Sequence, residues 1–173
     1  STRLMKTCLV FRHQGQAAFA PPAKQVSTRF WQPGWFRIRP PGQSLPVALV
    51  WWLFDRLGVF SGRDYGVMVL EQDGRFVHRS SVFPAFFRFA FVRRGELQIG
   101  DTYTVPSARG QGLALMAIQA ILARFPGRTF WYVTEQDNEA SIRVIEKAGF
   151  ECVGTGRKND RWKLKVTARY ELD

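Results

Sequence analysis

Cysteine is scarce in this chain: Cys8 and Cys152 stand far apart and neither belongs to a Cys-x-x-Cys pair. A disulfide scaffold, a metal centre or a dithiol redox motif therefore has nothing to build on, no metal is expected, and a reducing cytoplasm is the expected home. Acidic residues are missing from the first 54 positions, where Arg3, Lys6, Arg12, Lys24, Arg29, Arg37 and Arg39 all precede Asp55. Long apolar runs are missing too. The longest, Pro46–Phe54, has about half of the ~20 residues needed to cross a bilayer, so it fits a peripheral membrane contact and not a span. No basic-then-apolar leader pattern, internal repeat or low-complexity tract is visible.

What is present is enough apolar material for one real core. The chain has 173 residues, 46% hydrophobic, 14% aromatic and 23% charged, which excludes disorder and points to a single domain over 1–173. Lys and Arg exceed Asp and Glu by 25 − 14 = 11, so at least one anionic partner is expected. Nineteen of the 25 basic residues are Arg, the side chain suited to bidentate phosphate contacts.

The pattern along the chain alternates strands and helices. Residues 4–11 read as a first strand, and 12–46 as a Pro- and Gly-punctuated stretch of irregular or short elements. Leu45–Leu57 lacks internal breakers and ends at Gly58, as a helix does, with Trp51 and Trp52 pointing in different directions. Tyr65–Glu71 and Arg75–Ser81 flank Asp73-Gly74, strong hairpin chemistry. An aromatic connection, 82–95, leads into a longer strand, Glu96–Val105. A helix over Gly110–Phe125, a strand over Thr129–Thr134 and a helix over Asn138–Ala148 follow. Two antiparallel strands, Phe150–Gly156 and Trp162–Leu172, close the chain around a Lys158-Asn159-Asp160 turn.

Chemistry enters where Glu96–Val105 gives way to a helix. Arg109, Gly110, Gln111, Gly112, Leu113 and Ala114 put two glycines at a helix mouth, where unpaired N–H groups and the macrodipole favour a diphosphate. It is not a Walker loop, because no Lys-Ser or Lys-Thr follows, nor a dinucleotide fingerprint, which needs a third glycine in register and a later acidic residue. A second segment, Asn138 to Phe150, stands about 26 residues after Gly112.

Together the two segments resemble the GNAT superfamily of acyl-CoA N-acyltransferases. Its hallmark is Gln/Arg-x-x-Gly-x-Gly/Ala at a helix start, then a strand and an Asn-x-x-Ala-type helix ending in Lys-x-Gly-Phe. Arg109, Gly112 and Ala114 fill the first motif; Asn138, Lys147, Gly149 and Phe150 fit the second. The resemblance covers roughly 64–173, the part it implies binds acyl-CoA, and leaves 1–63 to the acceptor side. It implies an α/β (α+β) fold: a mixed, largely antiparallel sheet with helices on both faces and two parallel strands, Glu96–Val105 and Thr129–Thr134, splayed around the pantetheine arm. Acetyl-CoA is the implied donor. Backbone at Tyr103, Thr104 and Val105 would pair with the pantetheine amides, Gly110 to Ala114 would hold the pyrophosphate, and Asn138 would steady the arm. Catalysis is then mainly positional.

Two departures mark the family pattern. The Glu expected in the strand before the loop is replaced by Gln98, leaving Glu96, Asp101 and His78 as candidates to take the amine's proton. The Tyr expected seven residues after Asn138 is Ile145, and Ser141, one turn earlier, could hold a water instead. A similarity of 76–106 to a bacterial subgroup associated with cell-surface polysaccharide synthesis implies a small anionic amine, such as a nucleotide-linked amino sugar. On that view Arg29, Arg37 and Arg39, interleaved with Trp31, Trp35 and Phe36, line the acceptor mouth. A protein- or RNA-associated acetyltransferase and an inactive CoA-binding module remain alternatives, a sequence-specific nucleic-acid reader is not expected, and monomer and homodimer stay open.

Overall fold

A computed structural model describes residues 7–14, 25–159 and 169–172. Among the described residues eight strands form one sheet: β1 Thr7–His13, β2 Val26–Trp31, β3 Gly66–Gln72, β4 Arg75–Pro84, β5 Leu97–Thr104, β6 Phe130–Glu135, β7 Glu151–Asn159 and β8 Arg169–Leu172. Three helices, α1 Leu45–Arg56, α2 Leu113–Arg124 and α3 Glu139–Lys147, accompany it. The sheet order is β2-β3-β4-β5-β6-β1-β7-β8, and only β5 and β6 are parallel among the neighbouring pairs. The expected mixed, mainly antiparallel sheet is therefore what forms.

Local chemistry explains most boundaries. Asp73 and Gly74 both have positive φ, the conformation a tight hairpin turn demands, and β3 and β4 pair on either side of it. Pro46 sits in the first turn of α1, where its missing N–H costs nothing, and Gly58 follows at φ 69. In α2 the side chains of Leu113, Ala117, Ile118, Ala120, Ile121 and Leu122 are buried, one helical face laid on the sheet.

Alternation along the strands sorts the core into two layers. Met68, Leu70, Leu97, Ile99, Phe130 and Tyr132 face α2 and α3. Val10, Val67, Val69, Phe83 and Trp131 face α1 and the aromatic connection after β4. Trp51 is buried in that second layer, while Trp52 turns away and donates Nε1–H to the Gly34 carbonyl. The outer face of α1 leaves Leu45, Leu49 and Leu53 exposed.

Two placements go beyond the sequence reading and one departs from it. Val26–Trp31, within the stretch expected to be irregular or short, pairs with β3 over six residues and forms the sheet edge. β1 inserts between β6 and β7, so a strand from the beginning of the chain completes the sheet's far half. Lys158 and Asn159, expected in a turn, belong to β7 and pair with Tyr170 and Arg169; residues 160–168, and with them Asp160 and the beginning of the expected strand Trp162–Leu172, lie outside the described residues, as do positions 4–6 of the expected first strand.

Candidate active site

The site grows from the parallel pair. β5 and β6 are in register only at Leu97–Phe130, Gln98–Trp131 and Ile99–Tyr132. Beyond Ile99 they part, and β5 keeps β4 alone as partner, with His78 opposite Thr104 and Arg79 opposite Tyr103. The edge of β5 that faces the gap is left with unpaired backbone groups.

The parting coincides with a bulge. Asp101 has φ 46, and the β4–β5 register shifts between Arg79 and Ser81. In an unbroken strand Asp101 would share the α2 face with Leu97 and Ile99. The extra residue turns it to the α1 face instead, where its Oδ2 accepts from Gln43 Nε2 and pairs with Arg79 Nη1 at 2.8 Å. Thr102 and Thr104 consequently face the α2 side.

On that side the splay opens a cleft of about 740 Å³. Thr102, Tyr103 and Thr104 form one wall, Tyr132 the closed end, and Asn138, Ser141 and Ile145 of α3 the other wall; Arg109, Gly110, Gly112, Leu113 and Ala114 lie at its mouth. Gly110 and Gly112 adopt φ 77 and φ 75, and a Cβ at either would meet nothing within 4 Å, so a ligand can lie directly against their backbone. Gly112 caps α2 without a side-chain bond, and the first intrahelical bond is Met116 N–H to its carbonyl, leaving the preceding N–H groups aimed outward.

 Nine of the eleven residues expected at the cofactor lie along this cleft. Tyr103, Thr104, Arg109, Gly110, Gly112, Leu113, Ala114, Asn138 and Ser141 line the cleft; Val105 and Gln111 do not. Val105 packs against the core, and Gln111 is exposed with Nε2 directed at the Ser107 carbonyl. Asn138 uses Oδ1 to accept from Ser141 N–H at 3.1 Å, capping α3, which leaves its amide nitrogen free to donate to a ligand. Ile145 is buried and apolar at the place where the family pattern puts a Tyr.

The candidates for proton transfer separate by face. His78 is fully buried and does not line the cleft. Burial, and then the Arg79 charge, push its pKa down to about 4, so the ring is neutral near pH 7. Its Nδ1 lies 2.7 Å from Thr104 Oγ1 and its Nε2 2.9 Å from Ser80 Oγ. Ser80 Oγ reaches Thr102 Oγ1 at 3.1 Å, and Thr102 Oγ1 reaches Tyr132 OH at 3.1 Å. A continuous polar chain therefore joins Thr104, His78, Ser80, Thr102 and Tyr132, reaching the cleft at Thr104, Thr102 and Tyr132 and running beneath it through His78 and Ser80. Burial raises the Tyr132 pKa, keeping the phenol protonated. Sequence reading did not single out Thr102 or Tyr132, because only the pairing register shows which face a strand residue takes. Glu96 is engaged elsewhere, its Oε2 accepting from Trp131 Nε1 and Arg93 N–H.

Gln98 faces the α1 side, where it borders a second cavity with Asp101, Trp51 and Arg88. Arg29, Arg37 and Arg39 do not line it. Arg29 pairs with Glu71, Arg37 lies over the Trp31 ring, and Arg39 donates to the Gln43 carbonyl. Trp35 and Phe36 are exposed.

A profile described as Acetyltransferase (GNAT) family matches residues 28–150. Among solved structures, a GCN5-related N-acetyltransferase from Sphaerobacter thermophilus is similar at TM-score 0.62 and 18% identity, over 88% of this chain and 50% of that one. An acetyltransferase from the GNAT family from Colwellia psychrerythraea gives 0.54 and 15%, over 88% and 54%. A GCN5-related N-acetyltransferase from Kribbella flavida gives 0.53 and 13%, over 91% and 58%. The chain spans between half and two thirds of the length of these structures. A search of curated proteins finds no match.

Proposed function

Since the chain belongs to the GNAT acetyltransferase family, we propose that it is an acetyl-CoA-dependent N-acetyltransferase acting on the primary amine of a small, anionic acceptor. The observation that carries this reading is the cleft itself: a parallel pair that parts after three residue pairs, ending at a helix N-terminus with two positive-φ glycines at its mouth.

Acetyl-CoA, when bound, supplies an acyl carbon already activated as a thioester. The chain's own groups do the rest. The free edge of β5 accepts the amide-bearing arm as an added strand would be accepted. Gly112 and the first turn of α2 present N–H groups to the diphosphate. The acceptor enters from the α1 face, beside Gln98 and Asp101, so that amine and acyl carbon meet through the opening in the sheet. There a C–N bond forms as the C–S bond breaks; one proton leaves nitrogen and one joins sulfur. Asp101 is the group on the acceptor side suited to take the first. Tyr132, at the closed end of the cleft, is the donor suited to give the second, and Thr102, Ser80 and His78 orient it through their hydrogen bonds. Ser141 offers a further hydroxyl from α3.

Val47 and Trp51 of α1 border the second cavity, which supports assigning 1–63 to the acceptor side. One observation favours a second reading: Gln98 and Ile145 are both unable to move a proton, as an inactive CoA-binding module would allow. Calorimetry with acetyl-CoA, followed by thiol release in the presence of an amine panel, tests both. Binding with release supports the transferase; binding without release across the panel supports the module; absence of binding by the folded protein refutes both.

A further inference from the structure

The cavity on the α1 face has a volume of about 300 Å³. Trp51, Phe83, Phe86 and Phe89 supply ring walls, and Gln98, Gly100 and Asp101 form one end. A packed apolar core rarely leaves a buried polar atom without a partner, because the lost hydrogen bond to water is not replaced. Around this cavity such atoms gather. Gln98 Oε1, Trp51 Nε1 and Arg88 Nε are buried and unpartnered, and all three residues line it. Gln98 is 3% exposed and Trp51 4%. Gln43 Oε1 and Ser81 Oγ are unpartnered as well. Gln43 is bonded to Asp101 through its amide nitrogen, and Ser81 pairs in register with Gly100. Among the described residues there are seven such atoms, and five belong to this one neighbourhood, which points to a missing ligand and not to scattered packing faults.

Their chemistry sets the complement. Gln98 Oε1 accepts, and so does the Asp101 carboxylate, whose two protein contacts both fall on Oδ2; this end calls for N–H donors. Trp51 Nε1–H and the Arg88 guanidinium only donate, and the guanidinium is charged, so they call for an anionic acceptor. Arg88 is held over the rings of Phe89 and Tyr170, at 5.6 and 5.4 Å, which orients it before any ligand arrives. Rings lie between the two ends.

We propose that the acceptor is a small amino-carboxylate: a primary amine and a carboxylate joined by an apolar, ring-sized body, with the amine at Gln98 and Asp101 and the carboxylate on Arg88 and Trp51. The assignment rests on the acetyl-CoA reading, because it is the sheet opening that makes the Gln98 end the reactive one. A nucleotide-linked amino sugar fits less well. The cavity, at about 300 Å³, is at the lower end of the roughly 300–1,000 Å³ typical of small-molecule sites, small for a nucleotide and a sugar together.

Calorimetry on the whole chain, with and without CoA, tests this using five probes: 4-(aminomethyl)benzoate, L-phenylalanine, benzylamine, 4-methylbenzoate and UDP-glucosamine. At least one of the first two binds tenfold or more tightly than benzylamine and 4-methylbenzoate, and which of them does so distinguishes a distal from an α-carboxylate. Arg88→Gln abolishes that preference and leaves the Kd of benzylamine unchanged. Equal affinity for benzylamine and both amino-carboxylates, tighter binding of UDP-glucosamine, or binding of no probe in either state overturns the proposal. If Arg88→Gln does not fold by circular dichroism, the probe comparison on the unsubstituted chain decides alone. Failure of the acetyl-CoA reading is seen separately, as absence of acetyl-CoA binding in the same instrument.

Discussion

Replacing Gly112 by Asp separates folding from cofactor binding. Gly112 stands at φ 75 at the start of α2, with open space where a Cβ would be. A left-handed conformation costs an L-residue roughly 1–2 kcal/mol, and Asp tolerates it better than most. A negative charge at a helix N-terminus returns ~0.3–1 kcal/mol. The fold therefore loses about 1 kcal/mol. Binding loses more. A carboxylate ~4 Å from a phosphate charge is repelled by ~1 kcal/mol in water and ~4 kcal/mol at an effective dielectric constant of 20. Two such charges at the water limit give about 2 kcal/mol, or roughly a 30-fold weaker complex. Gly112→Ala carries the backbone cost without the charge. Calorimetry with acetyl-CoA and urea unfolding read the two effects: the Asp variant has a Kd raised at least 30-fold and the Ala variant a much smaller change, both remaining folded. Equal Kd values for the two variants would refute a diphosphate at this helix end.

Tyr132→Phe removes the donor at the closed end of the cleft and lowers kcat by ~100-fold or more, with little change in the Kd of acetyl-CoA; an unchanged kcat in steady-state assays would remove Tyr132 from the reaction. Gly100→Ala brings a Cβ within 2.7 Å of Gln98 Nε2, so the amide must swing away; KM for the amine rises while the melting temperature barely moves, and an unaltered KM would separate Gln98 from the acceptor. His78 supplies a pH effect on stability. Its folded pKa of about 4 lies below the ordinary imidazole value of 6.5, so the unfolded chain takes up the proton first as pH falls. The stabilisation is complete above ~6.5 and is lost progressively toward pH 4, about 3 kcal/mol in all. Urea unfolding at pH 7.5 and 4.5 measures it, and His78→Asn flattens the difference; an equal pH dependence in both proteins would refute the assignment.

Features set by neighbours in sequence were legible before the structure. Asp73-Gly74 dictates the hairpin because both residues must take positive φ, and Gly110 to Ala114 announces a helix mouth because glycine is needed where the chain turns left-handed. Features set by distant pairing were not. Val26–Trp31 lies in a stretch punctuated by Pro and Gly, and its strand conformation comes from β3. The place of β1 between β6 and β7 has no local signal at all. The sequence reading puts Arg29 at the acceptor mouth, yet it is paired with Glu71 across the strands; only the β2–β3 register brings that carboxylate to it.

The bulge at Asp101 shows why the site was harder to read than the fold. Strand periodicity places residues 97, 99 and 101 on one face, and that reading would have put the carboxylate in the cofactor cleft. One inserted residue reverses the alternation. Gln98 and Asp101 then share the α1 face, where the unpartnered atoms gather, while Thr102 and Thr104 join Ser80, His78 and Tyr132 on the α2 face. The same irregularity stands where β5 loses β6 as a partner, so the opening in the sheet and the sorting of polar groups to its two sides share one local cause. A chain with the bulge removed would keep the sheet, lose the division of groups between cofactor and acceptor faces, and with it the means of bringing an amine to an acyl carbon from the opposite side.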